Sequence, residues 1–255
     1  MGLPLEDTGV VTGKVRLMGK VVDELTEALA AHGFTPSGPL DDLGAAGPDV
    51  EKPSWIRAWF VGPDSGVPRM TAAIKAHIQG NGHAGVGIAA SAWLVSAAVE
   101  DVLRDMPGEA LAKGGWGQNY LESVDFGYFE NPDDPGEISV GGEAGIDGAV
   151  REFLRLLQGP AAEWFSRFNS PERLLAAART PATQDDWDGE NPDPVLLRAA
   201  VVLSVVNGEV EGAAALMNWY LRRDAFHKWD SADRAQAFDV AMIERFPRYA
   251  GARGC

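Results

Sequence analysis

Residues 70–90 read MTAAIKAHIQGNGHAGVGIAA, two apolar runs on either side of Asn81-Gly82. Both residues of that pair tolerate positive φ, so the stretch predicts two antiparallel strands joined by a two-residue hairpin turn. With the turn there, Gly80 pairs with His83, Ile78 with Gly85 and His77 with Val86. Side chains alternate faces along a strand, which sends His77 and His83 to opposite sides of the sheet. A shared metal would need a bulge or a shifted register, and no metal is expected.

The second run, Gly85-Val86-Gly87-Ile88-Ala89-Ala90, also fits the GxGxxA pattern of dinucleotide-binding turns. That chemistry needs a parallel βαβ unit and an acidic residue about 20 positions on. Here the preceding strand belongs to an antiparallel hairpin, and GEALAKGGWGQN follows the next helix. The glycines then serve to let a strand pass close to a helix, and no cofactor is expected.

Working outward, SWIRAWFVG (54–62) predicts a strand with Trp55, Arg57 and Trp59 on one face and Ile56, Ala58 and Phe60 on the other. Before it, residues 35–53 read as a Gly-, Pro- and Asp-rich loop. Residues 14–31 carry Leu17, Met18, Val21, Val22, Leu25, Ala28 and Leu29 at helical spacing, closed by Gly33. After the hairpin, SAWLVSAAVEDVLRDMPG predicts a helix with Ser91 as its cap; AASAW is not a nucleophile elbow. YLESVDFGYFE and EISVG predict a second hairpin across NPDDPG. Helical spacing returns at 146–157 and 160–168, and Ser170-Pro171-Glu172 caps a further short helix.

Residues 183–194, TQDDWDGENPDP, invite a calcium reading. With Gly189 at the sixth loop position, Val195 occupies the twelfth, where a bidentate carboxylate is required. The stretch reads instead as an exposed linker ending in Asp193-Pro194, an N-cap with proline at the first helical position. Helices follow at about 194–206, 209–223 and 231–246, the first two joined at Asn207-Gly208. Ala235, Phe238, Met242 and Phe246 mark the buried stripe of the third. The fold class is α+β: an antiparallel sheet packed with helices over 1–171, then an all-α segment over 172–255, with the linker at about 180–193.

The chain has 255 residues and a formal net charge of −15. Residues 100–147 hold twelve acidic side chains against Arg104 and Lys113 alone. Such a surface repels nucleic acid and anionic membranes and attracts a basic protein or cationic ligand. The expected partner-binding residues are Glu122, Asp125, Glu130, Asp133, Asp134 and Glu137. Glu122, Asp125, Glu130 and Glu137 could also include an acid/base pair, and solvated strand faces explain them better. Tryptophans 55, 59, 116 and 164 fit a sheet–helix core, and His77 and Trp116 are the pocket candidates. No apolar run reaches bilayer length and the N-terminus lacks a signal pattern. The single cysteine, Cys255, excludes a disulfide framework and fits a reducing cytoplasm.

RAAVVLSVVNGEVEGAAALMNWYL (198–221) resembles half of a tetratricopeptide-type helical hairpin, with Ala199 and Leu203 before Gly208 and Ala214 after it. One unit is visible where a solenoid needs three, so it reads as an appended hairpin. The order of elements, with HGF closing the first helix, Trp-bearing strands and then WFSRF, is similar to uncharacterised bacterial domains found among immunity proteins of polymorphic-toxin systems. That resemblance implies a protein that acts by binding, and no catalytic motif comes with it. The alternative is an enzyme or small-molecule binder with a pocket between sheet and helices.

Overall fold

A computed structural model describes residues 8–37, 55–81, 85–113, 120–181 and 191–254. They form an antiparallel sheet with helices, the α+β class expected. Helix α1 spans Thr8–Ala30 and buries Leu17, Met18, Val21, Leu25 and Leu29 along one stripe. It stops in a Schellman motif. Gly33 sits at φ 80°, its N–H donates to Ala30 O at 3.1 Å, and the Phe34 N–H donates to Leu29 O at 3.1 Å.

The strands are β1 (Thr35–Ser37), β2 (Trp55–Asp64), β3 (Thr71–Asn81), β4 (Gly85–Val95), β5 (Tyr120–Asp125) and β6 (Ile138–Val140). They hydrogen-bond in the order β1-β2-β3-β4-β5, and β6 also pairs with β4. β1 runs antiparallel to β2 with Pro36 opposite Phe60, and β6 antiparallel to β4 with Ser139 opposite Gly87. Strands β3 and β4 are the expected hairpin arms; residues 82–84, with Gly82 and His83, lie outside the described residues.

Two expectations are corrected. Ser91 does not cap a helix, because β4 continues to Val95. The cap is Ser96, whose Oγ accepts from the Val99 N–H at 3.2 Å and opens α2 (Ala97–Arg104). Ala92 and Leu94 are buried at alternate positions, so the small-residue run satisfies a strand as well as it would a helix. Secondly, the segments around β5 and β6 do not form a hairpin with each other; both pair with β4. The glycines of the GxGxxA stretch serve β6 rather than a helix: a Cβ on Gly85 would stand 2.9 Å from Val140 O.

The remaining helices are α3 (Ile146–Leu156), α4 (Ala162–Ser166), α5 (Pro171–Ala177), α6 (Pro194–Val206), α7 (Val210–Leu221), α8 (Ala232–Arg245) and α9 (Pro247–Ala252). A π-helical turn over Leu157–Ala161 joins α3 to α4. The chain groups into two compact units. One comprises Met1–Pro63, Ala72–Trp93 and Val124–Glu163; the other comprises Asp64–Thr71, Leu94–Ser123 and Trp164–Cys255.

In the first unit one sheet face carries Ile74, Ala76 and Ile78 of β3 and Val86, Ile88 and Ala90 of β4, all buried. This face meets the helices: a Cβ on Gly80 would touch Lys14 of α1 at 3.5 Å, and Ile88 and Ala90 share a hollow with Leu156 of α3. The opposite face carries Lys75, His77, Ser91 and Trp93.

In the second unit α6 is buried on every side from Pro194 to Val205, as a helix that is apolar all round should be. Its N-cap is the expected one, with Asp193 Oδ1 accepting from the Val195 N–H at 2.6 Å and Pro194 in the first turn. Ser170 caps α5 and Ser231 caps α8 in the same way. Gly208, at φ 89°, turns α6 into α7. Phe246 is the residue between α8 and α9 and is half-buried, outside the fully buried stripe of Ala235, Phe238 and Met242. Of the expected linker, residues 182–190 lie outside the described residues. Asn191 is 6% exposed and accepts from Arg223 Nη2 at 2.8 Å, so that end is packed rather than solvated.

Candidate functional site

The acidic loop between β5 and β6 is closed at its neck by two glycines. The Gly127 N–H donates to Pro135 O at 2.9 Å, and a Cβ on Gly127 would stand 2.1 Å from the Pro135 carbonyl carbon. Gly136 takes φ 72°, which a side chain disfavours. Within the loop Asn131 Oδ1 accepts from the Asp133 N–H at 3.1 Å, and Asp134 Oδ1 accepts from the Gly136 N–H at 2.8 Å. Asp133 and Asp134 are therefore exposed carboxylates on an internally bonded loop.

Beside them Glu130 pairs with Arg155, whose Nη2 also donates to Glu152 Oε1 at 2.6 Å. Arg155 in turn holds the Glu152 carboxyl below the usual carboxylate range. Glu137 lies across the bare Cα of Gly87 and accepts from Gln79 Nε2 at 2.9 Å and Asn81 Nδ2 at 2.7 Å. Glu130, Asp134, Glu137 and Glu152 line a hollow of about 390 Å³ whose apolar wall includes Ile88, Phe126 and Leu156. None of its lining residues is cationic.

The structure thus brings Glu130, Asp133, Asp134 and Glu137 into one loop and its flank. Asp125 is half-buried and turned elsewhere: its carboxylate accepts from the Ser91 hydroxyl. Burial pushes that carboxyl above its ordinary range, while Ser91 and Lys75 draw it back. Glu122 belongs to the second unit, half-buried, with Oε1 accepting from the Ser123 N–H at 3.0 Å. Trp116 lies outside the described residues.

His77 stands on the sheet face opposite the helices, in a cluster that sequence reasoning did not assemble. Its ring meets Trp55 edge-on, centroids 5.6 Å apart, and the Arg57 guanidinium lies 4.6 Å from the Trp55 ring. Lys75 Nζ is 5.4 Å from the Trp59 ring and 5.0 Å from the Trp93 ring, and those indoles meet edge-on at 5.4 Å. Burial first, then Arg57 and Lys75, hold the His77 pKa below its ordinary value, with Glu137 opposing. That shift favours the neutral imidazole. Its Nε2 is buried, and no group among the described residues hydrogen-bonds it. A signal was present: Lys75 and His77 interrupt an apolar strand at alternate positions. Cross-strand register and the extension of β4 to Trp93 were needed to join them to Trp55 and Trp59.

Among the described residues no three His, Cys, Asp or Glu side chains are grouped to hold a metal ion, and no helix is long and apolar enough to cross a membrane. The chain matches no family model, no curated protein and no solved structure.

Proposed function

We propose that the chain acts by binding a basic protein, immunity-like, with the loop over residues 126–139 as the contact surface and a reducing cytoplasm as its setting. The observation that carries this reading is the hollow of about 390 Å³ walled by Glu130, Asp134, Glu137 and Glu152, four carboxylates against the single Arg155 that pairs with Glu130 and Glu152. An apolar wall beneath an acidic rim suits a lysine or arginine side chain, which lays its methylenes on apolar surface and keeps its charge at the edge. Internal hydrogen bonds hold Asp133 and Asp134 in place before contact, which lowers the ordering cost of association.

The test takes a partner recovered from the native host and follows its association rate across ionic strength. Replacing Glu130, Asp133, Asp134 and Glu137 with Gln or Asn should slow association about tenfold or more at low salt and flatten the salt dependence. An unchanged rate at every salt concentration overturns the reading.

A further inference from the structure

The hollow beside the β5–β6 loop already has a cation of its own. Arg155 of α3 lays its guanidinium on Glu152, with Nε donating to Oε2 at 2.9 Å and Nη2 to Oε1 at 2.6 Å, and the same Nη2 pairs with Glu130. One forked donor thus holds two of the four carboxylates that line the hollow. The hydrogen bonds to the other two come from neutral groups: the Gly136 N–H to Asp134, and the Gln79 and Asn81 amides to Glu137.

That pairing displays the chemistry this wall accepts. Glu130 and Glu152 stand close enough for one planar guanidinium to bond both at once, a demand that an ammonium, a point charge without a fork, meets less well. Ile88, Phe126 and Leu156 in the same lining give the methylenes of a long side chain an apolar bed. The Arg155 side chain is 50% exposed, and an ion pair in such surroundings contributes little net stability. A cation carried in on a protein surface excludes water from the hollow and strengthens its attraction to the same carboxylates. It therefore competes with Arg155 for Glu130 and Glu152 on favourable terms.

We propose that the hollow takes an arginine side chain of a protein partner in preference to a lysine, and that Arg155 is its built-in rival, which lowers the affinity of the site by holding Glu130 and Glu152. The inference rests on the basic-partner reading and adds to it the side chain that is recognised and the residue that restrains recognition.

The experiment titrates the full chain by calorimetry with two blocked peptides, tetra-arginine and tetra-lysine, at about 0.15 M salt, where fields between exposed charges fade within about 8 Å. Tetra-arginine should bind at least about threefold more tightly than tetra-lysine. Arg155→Gln should tighten tetra-arginine binding at least about threefold again. Arg16→Gln, an equal change of charge on α1, should leave it unchanged. In the wild type, observed by NMR, the Arg155 Nε–H signal should move toward that of a free guanidinium as tetra-arginine saturates. No saturable binding by Arg155→Gln, affinity no higher than wild type in that variant, an equal gain in Arg16→Gln, no preference over tetra-lysine, or an unmoved Arg155 signal would each overturn the proposal. The variant with Glu130, Asp133, Asp134 and Glu137 replaced by Gln or Asn separates the two levels: if it binds tetra-arginine as the wild type does, the basic-partner reading itself fails.

Discussion

Arg198 and Asp230 form a bidentate ion pair inside the second unit, with Nη1–Oδ2 and Nη2–Oδ1 distances both 2.8 Å and the Arg198 side chain only 2% exposed. Further hydrogen bonds surround the pair. Arg198 Nε donates to Ala110 O at 2.9 Å, Nη1 also donates to Pro194 O at 3.2 Å, and the guanidinium lies 5.3 Å from the Phe238 ring. The Tyr220 hydroxyl donates to Asp230 Oδ2 at 2.7 Å. Through these bonds α6 is tied to α7 and to the segments around residues 110 and 230.

Arg198→Met should cost about 3–5 kcal/mol, because it strands a buried carboxylate. Arg198→Met with Asp230→Leu should cost less than the sum of the single changes, since the second substitution removes the group that the first leaves uncompensated. Urea unfolding of the three variants checks this, and strictly additive losses would show that the pair is not coupled.

Tyr220 predicts a pH dependence. Burial, then the Asp230 charge and hydrogen bond, push its phenol well above the ordinary value near 10. A folded-state pKa above the unfolded one means that the native protein keeps a proton which the unfolded chain releases. The associated stability is whole below about pH 10 and is lost progressively above it. Tyr120, raised chiefly by burial, acts in the same direction. Tyr220→Phe should therefore lose less stability between about pH 9 and 11 than the wild type does, measured by chemical denaturation at each pH.

Two caps can be told apart from one decoy. Asp193→Ala and Ser96→Ala should each cost about 1 kcal/mol, because each removes the acceptor for a first-turn N–H. Ser91→Ala leaves α2 capped and acts on Asp125 instead, raising its carboxyl pKa further by removing a hydrogen bond to the charged form. Thermal unfolding reads the first two, and a carboxyl NMR titration of Asp125 reads the third.

Gly127→Ala should destabilise the first unit by about 1–3 kcal/mol, since its methyl group would stand inside the Pro135 backbone. The same change opens the neck of the acidic loop, so hydrogen exchange at the Gly136 and Asp133 amides should speed up together.

Elements that announce themselves through local chemistry were legible without coordinates. The α1 stripe and its Gly33 stop, the Asp193-Pro194 and Ser170 caps, three of the four helices after residue 193 (α6, α7 and α8, but not the short α9) and the two strands around Asn81-Gly82 follow from spacing of 2 or 3.6 residues and from residues that suit one backbone conformation. Arg198 also carried a sign: a guanidinium in the middle of PVLLRAAVVLSVV must find a partner, although nothing local says that the partner is Asp230.

What tertiary structure decided is of another kind. Whether AASAWLV continues a strand or starts a helix turned on hydrogen bonds with neighbouring strands, because small apolar residues suit both. The pairing of β6 with β4 rather than with β5 is a long-range contact that leaves no periodic trace in sequence. Both candidate sites depend on such choices. Glu137 meets Gln79 and Asn81, and Trp55 meets His77, only once cross-strand register is set, since a slip of one residue would turn each side chain to the other face.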